Sequence, residues 1–244
     1  MGGWQMKRLF TEKWSQYHLL KTCSGLSNHL PETLLYTENA FWSMLERDKK
    51  VIVKPCTGRL GYGVLQVSDA GDNRYDYHIE NQHVTESGKE QIAYFLNNDY
   101  ACKNKRCIVQ QAIPLAKIDG CPFDIRVMVQ RKRYGCPWEV TGKAVKVAMD
   151  GYIVTNASKM ILPFEQAMTA ASLSYVAEEI VDYVALSAAR HLKRWKVNKL
   201  GLDIGIDDTG NVWIIEVNVR PSIGIFTFLE DKEIYKRMIH YNKR

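Results

Sequence analysis

Two carboxylates and an amide near the C-terminus fall into register across a predicted β-hairpin. A turn centred between Thr209 and Gly210 places Asp203 directly opposite Glu216, and the two-residue period of a strand puts Asn218 on the same face as Glu216. Like charges directly opposite each other destabilise a sheet, so a cation is expected between the two carboxylates.

The three oxygen-bearing side chains suit a hard metal ion. Mg²⁺ usually keeps water ligands and takes its remaining ligands from substrate phosphates, which makes Asp203, Glu216 and Asn218 candidate magnesium ligands, with Mn²⁺ as an alternative. The opposite face of the hairpin is apolar and is expected to be buried; its members are Leu202, Ile204, Trp213, Ile215 and Val217. A solvated acidic sheet edge is the competing interpretation.

A second candidate site combines a lysine with a glycine-rich loop. Lys54 ends a β-branched strand and is followed by Gly58, Gly61 and Gly63. An ammonium group and glycines that permit close backbone approach suit phosphate oxygens. The order is not that of a P-loop, because no Gly-Lys-Ser/Thr sequence closes it. A glycine-tipped structural hairpin with an incidental lysine is the alternative.

Opposite charges two residues apart share one face of a predicted strand, at Asp124 and Arg126. Arg126 aimed at the carboxylates would clamp a transferring phosphoryl group, whereas a structural acid and base pair is the simpler interpretation. Asn156, in a polar turn, and Lys143 or Lys146 are further candidate donors. No serine, cysteine or histidine nucleophile arrangement is recognisable, and phosphoryl transfer depends on positioning and positive charge more than on a protein nucleophile.

Composition indicates an ordinary globular protein. The 244 residues are 46% hydrophobic and 25% charged, and the net charge of +6 favours an anionic partner. Basic runs lack the interleaved aromatic residues of RNA-binding motifs, so nucleic acid is not the expected partner. The six cysteines show no metal-binding spacing and are expected to be reduced. Neither a membrane-spanning run nor a signal peptide is recognisable, so no membrane partner and a cytoplasmic location are expected.

The elements that must position these residues alternate along the chain. Helices are predicted over residues 9–20, 38–47, 89–96 and 164–195, the last as one long amphipathic helix with apolar positions Val176, Ile180, Tyr183, Val184 and Leu186. Strands are predicted over 51–54, 64–67, 107–111, 125–130 and 138–147, with short strands and turns over 68–87. This interspersion favours an α+β or mixed α/β fold.

The order of these segments resembles the ATP-grasp fold over roughly residues 50–221. More narrowly, residues 123–130, 154–156 and 201–222 are similar to the YheC/YheD-like ATP-grasp proteins, known as endospore coat-associated. The resemblance implies an α+β fold of two lobes with the nucleotide between them, lacking most of the α/β domain that precedes many such ligases. Its parts would be a helical segment 1–48, a small lobe 49–112 and a large lobe 113–244.

The resemblance also implies a role for each motif. ATP would be the cofactor together with one or two Mg²⁺ ions, held by Asp203, Glu216 and Asn218. Arg126 and Lys54 would be catalytic, with Arg126 stabilising the transferring phosphoryl group. The residues assigned to the nucleotide are Lys54, Gly58, Gly61 and Gly63 at the phosphates, Gln111, Ala112 and Ile113 at the adenine, Lys117 or Asp119 near the ribose, and Asn156.

The implied activity is ATP-dependent ligation of a carboxylate to an amine through an acyl phosphate, with a peptide among the candidate substrates. A non-catalytic nucleotide-binding or structural spore-coat-associated protein is the alternative. It is motivated by Ala157 and Ser158, which stand after Asn156 where the resemblance leads one to expect a glycine pair. A spore-associated location accompanies either interpretation.

Overall fold

The computed structural model describes residues 12–58, 61–192 and 196–242, which form two antiparallel sheets with helices packed against them. The helices are α1 (Lys13–Lys21), α2 (Glu38–Asp48), α3 (Lys89–Tyr94), α4 (Phe164–Ala170), α5 (Glu178–His191) and α6 (Lys232–Asn242). The strands are β1 (Thr33–Leu35), β2 (Lys50–Pro55), β3 (Leu65–Gly71), β4 (Arg74–Ile79), β5 (Gln82–Ser87), β6 (Cys107–Gln111), β7 (Lys117–Ile118), β8 (Cys121–Gln130), β9 (Glu139–Ala148), β10 (Ser158–Leu162), β11 (Lys199–Ile206) and β12 (Val212–Asn218). The predicted α+β class is confirmed.

The first sheet has the strand order β1-β6-β2-β3-β4-β5. The predicted glycine-tipped hairpin is confirmed, because β2 and β3 pair with Val53 opposite Leu65. Val51 and Val53 are buried in a core that α2 supplies with Phe41 and Met44. Strand alternation therefore turns Lys54 to the other face of the sheet.

The segment 1–48 was predicted to be helical, and its described residues 12–48 also contain a strand, while residues 1–11 lie outside the described part of the chain. Its strand β1 pairs with β6, and its helix α2 packs into the core of the first sheet. The predicted lobe boundaries at residues 48/49 and 112/113 stay predictions.

The second sheet has the order β10-β9-β8-β11-β12, with β7 beside β8. One face is packed against α5. On the other face, Met128 lies in a small core with Phe226 and Met238, next to α6. Further along the same face of β8 come Arg126 and Asp124, which are polar and belong to no core cluster. This face is thus covered at one end and charged at the other.

The prediction of one long helix over 164–195 was wrong. Helix α4 ends at Ala170, and Ser172 adopts a left-handed conformation with φ of 58° before α5 begins. The predicted apolar positions were right at Val176 and Val184, which are buried, but wrong at Ile180 and Tyr183, which are 36% and 48% exposed. The buried face of α5 is built largely of small residues, namely Val181, Val184, Ala185, Ala188 and Ala189.

The closing hairpin has the predicted pairing at its functional end, with Asp203 opposite Glu216. Nearer the turn, Ile206 pairs with Val212, so the turn is centred on Thr209 rather than between Thr209 and Gly210. The register differs by one residue between the two ends of the hairpin, and it shifts after Asp203, which is the signature of a β-bulge.

The bulge changes which side chains of β12 are buried. Val212, Ile214 and Val217 enter the core, as do Leu202 and Ile204 opposite them. The predicted burial of Trp213 and Ile215 on this face was therefore wrong. Both are only partly buried, and Ile215 faces the space between the sheets.

Two expectations from composition concern cysteines and membranes. All six cysteines are free thiols, as predicted. Within the residues that the structure describes, no helix is both long and apolar enough to cross a membrane.

Candidate functional site

A cavity of about 150 Å³ lies between the two sheets. It brings together most of the predicted site residues: Lys54, Gly58, Gly61, Gln111, Ala112, Ile113, Asn156, Asp203 and Glu216 line it. Gly63, Lys117, Arg126 and Asn218 do not line it, although Arg126 and Asn218 touch a residue that does. Lys117 is exposed on β7, so its approach to a ribose stays a prediction.

Lys54 enters the cavity from the end of β2. It is 6% exposed, and within the described residues it has neither a hydrogen bond nor an ion pair. Burial lowers the pKa of Lys54 to about 8, with Lys13 adding to the decrease and Glu216 and Asp203 opposing it. A buried ammonium group without a partner is costly, and an anion in the cavity would remove that cost.

The glycine loop lies against the turn that carries Asn156. Gly61 and Gly63 have φ values of 69° and 71°, a conformation that side-chain-bearing residues rarely adopt. A Cβ atom on Gly61 would lie 2.5 Å from the Asn156 side-chain nitrogen. Glycine is therefore required here by both conformation and space, and the contact connects the two sheets above the cavity.

The residues predicted to contact adenine lie at the end of β6 and just after it, and all three line the cavity. The Gln111 N–H donates to the Glu32 carbonyl at 2.8 Å, and the Gln111 side-chain oxygen accepts from the Glu32 N–H at 3.2 Å. The Gln111 side chain is thereby held by the first sheet, while Ala112 and Ile113 face the cavity. Other apolar residues around the cavity are Ile52, Val64, Leu115, Ile153 and Ile215.

A row of alternating charges crosses the second sheet at the opposite wall. Lys146 of β9 lies opposite Asp124 of β8, and Arg126 of β8 lies opposite Asp203 of β11. Arg126 grips Asp203 with two bonds of 2.7 and 3.0 Å. Lys146 bridges the two acids, at 3.0 Å from Asp124 and 3.1 Å from Asp203. Thr155 donates to the second oxygen of Asp124.

The surroundings shift the pKa values of the two aspartates in opposite directions. Burial raises the pKa of Asp124, although Lys146 counteracts it. Burial acts on Asp203 in the same sense, but Lys146 and Arg126 together outweigh it and lower the pKa of Asp203 to about 2. Asp203 is therefore ionised, and its counter-ions are side chains of the protein.

The predicted metal ligands lie together but do not fit a metal ion as they are arranged. One oxygen of Asp203 accepts from Arg126 and Lys146, and the other accepts from Arg126 and from Asn218 at 3.0 Å. Four donors occupy the roughly four lone-pair positions of a carboxylate. Glu216 is paired with Lys13 at 3.2 Å. Within the described residues, no cluster of three or more acidic, histidine or cysteine side chains could hold a metal.

The cation expected between the carboxylates is thus supplied by the protein itself. Arg126 and Lys146 form ion pairs with Asp203, and Lys13 forms an ion pair with Glu216. Lys143 pairs instead with Glu178 and Asp182 of α5, away from the cavity.

Sequence reasoning named Lys146 only as an alternative to Lys143, and it missed Lys13. Lys146 could have been chosen over Lys143, because alternation along β9 separates the two lysines and the register sets Lys146 opposite Asp124. Lys13 carried no such signal, since it stands alone in a helix far from any glycine-rich segment.

Comparison with known proteins agrees with this architecture. The model of the YheC/D like ATP-grasp family matches residues 4–243. The chain is 28% identical over 236 residues to the endospore coat-associated protein YheD of Bacillus subtilis (strain 168), covering 90% of this chain and 50% of that protein. It is 25% identical over 221 residues to the endospore coat-associated protein YheC of the same organism, covering 86% and 60%. The chain thus spans about half the length of the curated relatives it matches.

Solved structures show the same fold at low identity. D-cycloserine synthetase DcsG matches with a TM-score of 0.62 at 13% identity, covering 97% of this chain and 71% of that one. N5-carboxyaminoimidazole synthetase from Staphylococcus aureus, complexed with ADP, matches with a TM-score of 0.58 at 10% identity, covering 88% and 46%. The fold predicted from the order of motifs is confirmed, and because the family match covers nearly the whole sequence, the chain belongs to the YheC/D like ATP-grasp family.

Proposed function

We propose that this chain binds ATP in the cavity between its two sheets and is an ATP-dependent ligase joining a carboxylate to an amine. The observation that carries the proposal is Lys54, a buried ammonium group that lines the cavity and has no partner within the described residues. The triphosphate of ATP would supply the anionic partner that this ammonium group lacks.

The surroundings of Lys54 suit a nucleotide. Gly58 and Gly61 also line the cavity, and backbone without side chains can approach phosphate oxygens closely. Ala112 and Ile113 line it together with apolar side chains, which suit a planar base. The ADP held by the S. aureus structural neighbour supports the same class of ligand.

The charged row at the other wall suits the chemical step. In the proposed reaction, an oxygen of the substrate carboxylate attacks the terminal phosphorus, giving an acyl phosphate and ADP. The amine then attacks the acyl carbon, forming the carbon–nitrogen bond as phosphate leaves. Arg126 and Lys146 are fixed donors that could share their hydrogen bonds between Asp203 and the transferred oxygens. A Mg²⁺ requirement stays a prediction, because Asp203 as arranged has no free oxygen position.

Nucleotide binding can be tested by calorimetry with ATP on the wild-type protein and on Lys54→Met. We expect the variant to lose at least about tenfold in affinity, since a charge-assisted bond contributes more than 1.4 kcal/mol. Lys50→Met is the matched control, because Lys50 lies on the same strand and is exposed. Equal binding by wild type and Lys54→Met, or no binding by either, would overturn the proposal.

One observation favours a second candidate function, a nucleotide-binding protein without ligase activity. Both functional oxygens of Asp203 are already saturated by protein donors. Measurement of ADP release across a panel of carboxylates and amines, including peptides, separates the two. Release that depends on both substrates supports the ligase, whereas ATP binding without release supports the alternative.

A spore-associated location is a further proposal for this chain. It comes from the names of the two curated relatives, which are both endospore coat-associated proteins.

A further inference from the structure

In the described part of the chain, the two sheets end in four edge strands, β1, β5, β10 and β12. An edge strand exposes unpaired backbone groups, which proteins usually protect. Strand β1 has only three residues, and β10 has a register shift next to Lys159. The side chains of Gln16 and His29 bond to the carbonyls of Val217 and Val212 in β12. Three of the four edges are therefore short, irregular or covered.

Strand β5 has none of these protections. It runs over Gln82–Ser87, contains neither proline nor lysine, and pairs with β4 without a register shift. Five of its six residues are exposed, and within the described residues no strand other than β4 pairs with it. Val84 and Thr85, at its centre, are β-branched residues that favour strands. The outer edge of β5 is thus ready to pair with another strand.

The side chains of β5 are complementary to a second copy of the same strand. When a two-fold axis relates two antiparallel strands, the residue on the axis faces its own copy, and residues equally far from the axis on either side face each other. With Val84 on the axis, two valines meet, and the Gln82 amide can donate to the carboxylate of Glu86 in the second copy. His83 then faces Thr85, so no like charges are opposed.

The two neighbouring two-fold registers fit less well. With Thr85 on the axis, the carboxylate of Glu86 faces Val84 and has no polar partner across the strands. With His83 on the axis, two imidazole rings face each other and repel when both are protonated. The register centred on Val84 is therefore the one that these side chains favour.

We propose that the outer edge of β5 is an interface between two copies of this chain, which pair antiparallel with Val84 on the two-fold axis. The first sheets of the two copies then form one continuous sheet. Each strand supplies the backbone donors and acceptors that the other lacks at its outer edge. Six residues from each copy make a small interface, so the dimer is weak and its population depends on protein concentration.

Sedimentation equilibrium of the wild-type protein over about 10–500 µM measures the dissociation constant of such a weak dimer. Val84→Lys places two ammonium groups opposite each other on the axis, so it should raise the dissociation constant about tenfold or more. Leu34→Lys is the matched control, because Leu34 lies on β1 at the other edge of the same sheet. The two side chains are equally exposed, at 36% for Leu34 and 37% for Val84, and the control should dimerise like the wild type.

A second pair of variants tests the register. Each dimer contains two contacts between residue 82 of one copy and Glu86 of the other. Gln82→Lys makes both contacts attractive and should strengthen the dimer several-fold, whereas Gln82→Glu makes both repulsive and should weaken it by a similar factor. Thermal unfolding of each variant checks that it is folded.

Three results would overturn the proposal. A wild-type protein that stays monomeric over the whole concentration range does not pair through this edge. A dimer that Val84→Lys leaves intact forms through another surface. Equal dissociation constants for Gln82→Lys and Gln82→Glu would show that residue 82 does not face Glu86, which excludes the two-fold register centred on Val84.

Discussion

At the scale of single residues, the site is governed by which buried charges have partners. Lys54 and Lys146 are 6% and 4% exposed, so burial penalises the two ammonium groups alike. The pKa of Lys54 falls to about 8 because burial dominates, whereas the pKa of Lys146 rises because Asp124 and Asp203 outweigh burial. Lys146 is therefore a fixed part of the wall, and Lys54 is available to a ligand.

This difference predicts that ATP binding is linked to proton uptake at Lys54. Near pH 8, about half of the Lys54 side chains are neutral before binding. Phosphate oxygens favour the charged form, so binding raises this pKa and takes up a proton, and the affinity falls as the pH rises above 8. Calorimetry at pH 8 in two buffers of different ionisation enthalpy measures the uptake. Equal heats in both buffers would contradict the prediction, and Lys54→Met should show no uptake.

A second prediction concerns Asp203 and divalent cations. Because its oxygens are occupied, we expect the protein without nucleotide to bind Mn²⁺ only weakly, as measured by electron paramagnetic resonance. Arg126→Met removes two of the four donors and one positive charge, so it should raise Mn²⁺ affinity about tenfold or more. Arg74→Met, at an exposed position far along the first sheet, should not. Tight Mn²⁺ binding by the nucleotide-free wild type would show that Arg126 does not compete with the metal.

At the scale of elements, the contact of the glycine loop with Asn156 distinguishes this loop from a turn that is only flexible. Gly61 and Gly71 both have left-handed φ values, of 69° and 77°. A Cβ atom would collide with Asn156 at Gly61 but would meet nothing within 4 Å at Gly71. A comparison of substitutions at Gly61 and Gly71 therefore separates the effect of the Asn156 contact from the effect of backbone strain.

Alanine at either position should cost about 1–2 kcal/mol of stability through backbone strain. Gly61→Ala must in addition displace Asn156 or the loop, so it should weaken ATP binding several-fold, whereas Gly71→Ala should leave ATP binding unchanged. Urea unfolding and calorimetric titration measure the two effects. Equal losses of ATP affinity in both variants would show that the contact between Gly61 and Asn156 does not contribute to ATP binding.

The hairpin and the helices show how far sequence reasoning reaches at this scale. The pairing of Asp203 with Glu216 was predicted from a turn between Thr209 and Gly210, and it holds because the bulge after Asp203 offsets the actual turn at Thr209. The position of the turn was not predictable, because residues 212–215 are all apolar and alternation cannot tell which of them are buried. The turn is fixed by Asp207, whose carboxylate accepts hydrogen bonds from Asn211, Thr209 and the Trp213 ring. The break before α5 was missed because residues 171–177 contain neither glycine nor proline, and the left-handed residue there is Ser172. The buried face of α5 was missed because three of its five residues are alanines, which a search for large apolar residues ignores.

At the scale of the whole molecule, several contacts around the cavity connect the two sheets in the part of the chain that the structure describes. Residues 112–116 cross from β6 to the second sheet, where the Ala116 N–H donates to Ile206 at 2.9 Å. The glycine loop touches the Asn156 turn, and α1 is bonded to Cys56 and Val217. The fold family could be predicted from the ordered motifs, and so could nine of the residues that line the cavity. The role of α1 could not, because it depends on contacts between segments that are about 200 residues apart.

These connections predict where nucleotide binding should rigidify the protein. A ligand that touches both walls adds stability to the segments joining them, so amide hydrogen exchange should slow in α1, in residues 54–63 and in residues 111–116. Helix α6 covers the far end of the second sheet and serves as an internal control, since its exchange should not change. Mass spectrometry with and without ATP measures each segment. Protection confined to residues 54–63, with α1 and residues 111–116 exchanging as before, would contradict the prediction and show that the nucleotide does not stabilise the segments that join the two walls.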